Sequence, residues 1–111
     1  MIRLFSLKLK KDFERVFKNG SQVFSREFTA RYLKNDKNFP RLAIIVSQKV
    51  AKKATERNLL RRRLKEIVRP LLVHFSNIDL ILITRPGITD KKFAELKDLT
   101  EKFLKKTGVL Q

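Results

Sequence analysis

The chain of 111 residues reads as an α+β protein: a two-layer sandwich of a mixed, roughly four-stranded sheet with about three helices, in the order αβββαβα. Three observations predict it. Two short runs, Leu42–Ser47 (LAIIVS) and Ile78–Thr84 (IDLILIT), are nearly all apolar and rich in β-branched residues, as strands covered on both faces are. Helical periodicity occupies Lys10–Lys18, the stretch from about Thr55 to Pro70, and Asp90–Lys106. The span between the two apolar runs is long enough for a crossover, so those strands can pair in parallel. With no repeat, low-complexity tract or linker to divide it, the chain reads as one domain over residues 1–111.

In chain order, Lys10–Lys18 (KKDFERVFK) places Phe13, Val16 and Phe17 at helical spacing, and Asn19-Gly20 supplies a stop. Phe28–Lys34 alternates, with Phe28, Ala30 and Tyr32 on one face and Thr29, Arg31 and Leu33 on the other, the period of a strand. N-terminal strands of this kind add antiparallel partners to the sheet. Asn35–Pro40 (NDKNFP) is polar and closed by proline, hence a loop. The helix after Leu42–Ser47 lasts until Pro70 ends or bends it, because proline lacks the N–H and crowds the preceding turn. Arg85-Pro86-Gly87 is a turn, and Asp90–Lys106 puts Phe93, Leu96, Leu99, Thr100 and Phe103 on an inner face. For the crossover itself the general expectation is a right-handed connection.

Charge carries the functional signal. Lys and Arg number 27 against 11 acids, a formal net charge of +16. Between Lys49 and Arg69 stand nine cations (Lys49, Lys52, Lys53, Arg57, Arg61, Arg62, Arg63, Lys65, Arg69) and two acids, Glu56 and Glu66. At ~100° per residue, Leu60, Leu64, Ile67, Val68 and Leu71 share one arc of this helix. Asn58, Arg61, Arg62, Lys65 and Arg69 share the neighbouring arc. A merely solvated face mixes Glu with Lys. So strong an imbalance of sign repels itself and points to a polyanion as counterpart.

Composition excludes other classes. The absence of cysteine removes disulfides and thiolate metal sites and fits a reducing cytoplasm. No apolar run approaches the ~20 residues that span a bilayer, and MIRLFSLKLKKDF alternates apolar and basic residues unlike a signal peptide. A single histidine, His74, fits a cap or surface role, and with no cysteine it cannot assemble a metal site or a nucleophilic triad. Three glycines are too few for a phosphate loop. Asp79, inside an apolar strand, reads as a hydrogen-bonded structural residue. No catalytic residue, metal ligand or cofactor of the protein alone is therefore expected.

The run IVSQKVAKKATERNLLRRRLKEIVR resembles the signature of the bacterial ribonuclease P protein component. Val46, Ser47 and Lys49 match its V-S-x-K strand end, and Arg57, Asn58, Arg61 and Arg62 its R-N-x-x-[KR]-R core, continued by Lys65 and Arg69. Leu9, Phe13, Val16, Phe17 and Gly20 are similar to its N-terminal L-x(3)-F-x(2)-V-F-x(2)-G helix, Arg26, Phe28 and Tyr32 to its second strand, and Arg41-Leu42-Ala43 to the entry of its third. Three positions depart: Leu59 stands where arginine is usual, Gln48 where lysine is, and Ala51 where glycine is common.

The resemblance implies a protein subunit that binds a catalytic RNA, whose holoenzyme removes the 5′ leader of precursor tRNA. Hydrolysis and its Mg2+ belong to the RNA, with no obligate protein partner and no membrane. It also implies a left-handed βαβ crossover around the signature helix. Lys49, Lys53, Arg57, Asn58, Arg61, Arg62, Lys65 and Arg69 are the implied contacts to the catalytic RNA, with Asn58 equally suited to hydrogen-bonding the neighbouring backbone and so stabilising the fold. The leader cleft between the first helix and the sheet implies Phe13, Phe17, Arg26, Phe28, Arg31 and Tyr32, with Lys34 adding charge. Bases stack on aromatics beside a basic groove. Phe13 and Phe17, spaced i, i+4, fit core packing equally well, whereas Phe28 and Tyr32 are expected to be exposed. Two other classes fit the charge alone. One is a general RNA-binding or ribosome-associated protein, and the other is a membrane-surface helix that needs apolar residues free to enter lipid.

Overall fold

The computed structural model describes residues 5–110; the first four residues of the N-terminal run read above lie outside it. Its elements are β1 (Phe5–Ser6), α1 (Lys10–Asn19), β2 (Ser21–Phe24), β3 (Phe28–Lys34), β4 (Arg41–Ile45), α2 (Ala54–Val68), β5 (Ile78–Thr84) and α3 (Phe93–Thr107). One mixed sheet runs β1-β4-β5-β3-β2. The two apolar runs do pair in parallel, Ala43 beside Ile81, and β3 lies antiparallel to both β5 and β2. The four expected strands are thus joined by the two-residue β1 alongside β4. Pro70 does not stop the chain turning: it opens a 3₁₀ segment, Arg69–His74, that continues from α2 and leaves His74 exposed.

Helices α2 and α3 cover one face of the sheet. Phe28, Ala30, Leu42, Ile44, Leu80 and Leu82 point into that core and meet Leu60, Leu64, Ile67 and Val68 of α2 and Leu96, Phe103 and Leu104 of α3. Across part of the other face lies α1, its buried Val16 and half-buried Phe13 on Ile81, Leu33, Ala43, Ile45 and Ile83. Gly20 ends α1 where a Cβ would sit 2.5 Å from the Val16 carbonyl oxygen and 2.7 Å from that of Tyr32. Gly20→Ala should therefore force α1 off β3 and cost about 1–3 kcal/mol; an unchanged thermal midpoint would contradict this.

Two sequence expectations are corrected here. Alternation groups Phe28, Ala30 and Tyr32 on one face, but that face is the one beneath α3. Phe28 is fully buried, its ring stacked on Phe103 at 5.3 Å between centroids. Tyr32 is half-buried against the same core, its hydroxyl donating to the Thr107 carbonyl oxygen at 3.0 Å. Neither is exposed as a stacking platform, since the larger helical layer covers both. Phe93, expected on the inner face of the last helix, begins that helix and is 42% exposed. Phe28→Ala should lower stability by about 3–5 kcal/mol in urea unfolding, the usual cost of removing a buried aromatic ring.

At the end of the sheet where β4 and β5 begin, Asp79 is fully buried and saturated with donors. Arg41 grips it in bidentate fashion, Nε to Oδ1 and Nη2 to Oδ2, both at 2.7 Å. Arg15 Nη2 donates to Oδ2 at 2.8 Å and Asn35 Nδ2 to Oδ1 at 2.9 Å. Arg41 also reaches Asp12 of α1 at 3.2 Å. This is the hydrogen-bonded structural role expected for Asp79, and it ties α1 to the starts of the central strands β4 and β5.

Candidate nucleic-acid interface

The basic helix is set by a turn that its own arginine secures. Val50 and Ala51 donate their backbone N–H groups to the Ser47 carbonyl oxygen, and Arg57 Nη1 donates back to the carbonyl oxygens of Ala51 and Lys52 at 3.0 and 2.7 Å. Arg57 is accordingly half-buried, and part of its guanidinium serves the fold rather than a ligand. Ala51 is buried in this turn and adopts an ordinary backbone conformation; no non-glycine residue among those described has positive φ. The glycine common at that position in the family is therefore not required here.

Along α2 the apolar arc of Leu60, Leu64, Ile67 and Val68 docks on the core as the periodicity predicts. Asn58, Arg62, Lys65 and Arg69 are exposed on the neighbouring arc, as are Lys49 and Lys53 before the helix. Arg61 is half-buried, its Nη2 donating to Asn58 Oδ1, so Asn58 orients that guanidinium. The two acids fall elsewhere. Glu56 lines a notch of about 110 Å³ facing α3 with Leu59 and Arg63, and Glu66 a second depression with Phe93 and Lys97. The basic arc itself thus holds no carboxylate, and among the described residues none of its cations is ion-paired, although Glu66 stands one turn from Arg62 on the arc's border.

Leu59 lies on the flank towards α3, in the notch with Leu60, Ile88 and Leu96, and is 39% exposed. Leu59→Arg is expected to leave affinity for an RNA partner unchanged or to tighten it, because the long side chain can leave the notch and add charge. A clear loss in a filter-binding titration would show that the apolar contact matters more.

A second cationic group sits on the α1 face of the sheet. The Arg31 guanidinium lies over the Phe17 ring, 5.1 Å from its centroid. Its Nη2 donates to the Phe17 carbonyl oxygen and its Nη1 to Gln22 Oε1 at 2.6 Å. Phe17 remains 40% exposed, Phe13 is half-buried, and Arg26 is exposed in the turn between β2 and β3 rather than in a strand. Of the six residues considered for single-stranded RNA, three (Phe13, Phe17 and Arg31) lie on this face, Arg26 lies in the β2–β3 turn at the end of the sheet, and Phe28 and Tyr32 lie beneath the other face. Sequence reasoning missed the half-buried floor of Ala43, Ile45 and Ile83 and the partner Gln22. The alternation of β4 and β5 held the signal for the floor, hidden by nearly uniform apolarity.

Such a combination, an α+β sandwich presenting a helix with an acid-free cationic arc and, on its other face, an aromatic–arginine pair, defines a basic protein equipped for polyanions. A sequence model of the family described as Ribonuclease P matches residues 1–108. The ribonuclease P protein component of Streptococcus pneumoniae (strain Hungary19A-6) is 30% identical over 112 aligned positions, covering 100% of this chain and 90% of that protein. The Staphylococcus aureus RNase P protein superposes with a TM-score of 0.90 at 28% identity, covering 98% of this chain and 100% of that one. The Thermotoga maritima protein gives 0.78 at 28% identity, covering 90% and 96%. The chain belongs to the ribonuclease P protein family, and its role is that of the protein subunit of ribonuclease P in tRNA processing.

Among the described residues no helix is long and apolar enough to cross a membrane. Leu60, Leu64 and Ile67, which a lipid-surface helix would need, are buried.

Proposed function

We propose that the chain works within the ribonuclease P holoenzyme as one RNA-binding domain with two contact regions. Lys49, Lys53, Asn58, Arg61, Arg62, Lys65 and Arg69, with what remains free of Arg57, bind phosphates of the catalytic RNA. Phe17, Phe13, Arg31 and Arg26 hold the 5′ leader of precursor tRNA. The acid-free arc of α2 is the observation that carries this reading, because phosphate contacts need cations without competing carboxylates. Endonucleolytic hydrolysis resides in the RNA with its Mg2+, in the cytoplasm. The protein raises substrate affinity and needs no cofactor of its own and no obligate protein partner.

The Phe17–Arg31 pair supplies the leader contact in this account. A ring held by a guanidinium offers a preordered surface on which an unpaired base stacks, worth ~1–3 kcal/mol per base. Reconstituted holoenzyme should therefore bind precursor tRNA more tightly than mature tRNA. Phe17→Ala/Arg31→Ala should reduce that preference by roughly 5- to 150-fold without altering affinity for mature tRNA. Equal losses on both substrates would overturn the leader assignment. A protein that binds ribosomal RNA as tightly as ribonuclease P RNA would favour a general RNA-binding or ribosome-associated role instead.

A further inference from the structure

One cavity plays no part in the account above. It holds about 600 Å³ and opens beside the N-terminal half of α1, walled by Lys11 and Arg15 of that helix, Lys34 at the end of β3, and Asn35 and Lys37 of the following loop. At ~100° per residue, Lys11 and Arg15 lie on one flank of α1 and Phe13 and Phe17 on the other. The cavity is therefore separated by α1 from the aromatic pair, and it lies at the opposite end of β4 from the start of the basic helix.

Its chemistry is that of an anion site. Five cations line it, Lys11, Arg15, Lys34, Lys37 and Arg41, with two carboxylates, Asp12 and Asp36. Asp79 beneath makes a third, so two positive charges are in surplus. The carboxylates nearest the floor are already taken: Arg41 and Arg15 hold Asp79, and Arg41 holds Asp12. Arg15 gives only Nη2 to that network, and its side chain stays 38% exposed, so other guanidinium donors can serve a ligand.

Position as well as charge is prepared. Asn35 is buried, and its Oδ1 accepts the Lys37 backbone N–H at 3.0 Å while its Nδ2 donates to Asp79. The loop that carries Lys37 is thus fastened to the same buried carboxylate that fastens Arg15. Leu9, 55% exposed at the rim, adds apolar surface of the kind a sugar or base covers.

We propose that this cavity is a phosphate-binding site, taking a backbone phosphate of RNA or free inorganic phosphate through Lys11, Arg15, Lys34 and Lys37. It would give the protein an RNA contact separate from α2 and from the leader surface. Because its first test uses phosphate alone, it can fail or succeed whether or not the leader reading holds.

In that test the free protein is titrated with inorganic phosphate at constant ionic strength, balanced with chloride, and followed by two-dimensional NMR. The expected result is saturable shifts confined to residues 9–15 and 34–41. They should be lost in Lys34→Ala/Lys37→Ala and kept in Lys97→Ala/Lys105→Ala, which removes the same charge from exposed positions of α3. Shifts spread over all basic surfaces, or equal in the two variants, would overturn the site as diffuse screening.

A second arm titrates ribonuclease P RNA at several salt concentrations. If the ligand is RNA, the Lys34/Lys37 variant lowers the salt slope by about 1.4–1.8, the value for two lost phosphate contacts, and the α3 variant does not. An unchanged slope alongside saturable phosphate shifts would overturn RNA as the source and leave free phosphate.

Discussion

Asp79→Ala should unfold at a much lower urea concentration than the wild type, with a loss of about 3–5 kcal/mol, because it leaves the mostly buried Arg41 guanidinium without its counter-ion. Arg41 spans both carboxylates of the cluster with its side chain only 14% exposed, and Arg15 and Asn35 converge on the same carboxylate. Burial by itself raises the pKa of Asp79, but the hydrogen bonds from Arg41, Asn35 and Arg15 outweigh it and hold the group below its ordinary value of 3.8. A group depressed on folding contributes its stability above the unfolded pKa and loses it as pH falls through the lowered folded value. Wild-type stability should thus begin to fall near pH 4 and continue downward. Asp79→Asn, less stable at neutral pH, should lack that component of the acid transition. Parallel acid profiles for the two proteins would show that other carboxylates govern it.

Arg61→Ala/Arg62→Ala should produce the largest change in RNA binding. Each lost phosphate contact lowers the salt slope by ~0.7–0.9, so the pair should lower it by about 1.4–1.8 while weakening affinity at every salt concentration. Arg63→Ala is the control on the same helix. It lies towards the notch that α2 shares with Ile88 and Leu96, and its removal should leave the slope near the wild-type value. Arg57→Ala should behave differently again. Its Nη1 secures the Ala51 and Lys52 carbonyl oxygens, so the loss should appear in thermal stability as well as in affinity.

Much of this architecture was legible in the sequence because it is periodic. The apolar and basic arcs of α2 follow from a single angle per residue, and the strands at Leu42 and Ile78 announce themselves by apolar β-branched runs. The face a strand turns to each layer is less legible. Alternation separates Phe28 and Tyr32 from Arg31 but is symmetric, and only the packing of α3 on the Phe28 face decides between them. Long-range partners are hidden for a related reason. Asp79 was recognisably structural, yet nothing local marks Arg41, Arg15 and Asn35 as its partners. The short β2, SQVF, lies between Gly20 and a turn and shows too little pattern to stand out. Arg57 looked like one phosphate ligand among several, because a carbonyl contact to the preceding turn leaves no trace in spacing.

The most direct measurement of the central claim is 5′-leader cleavage of a precursor tRNA by bacterial ribonuclease P RNA at low Mg2+, with and without this protein. The account predicts that the protein restores cleavage, and that Arg61→Ala/Arg62→Ala, folded to the same thermal midpoint, fails to do so at matched concentration. Binding of the RNA without any change in cleavage would contradict it.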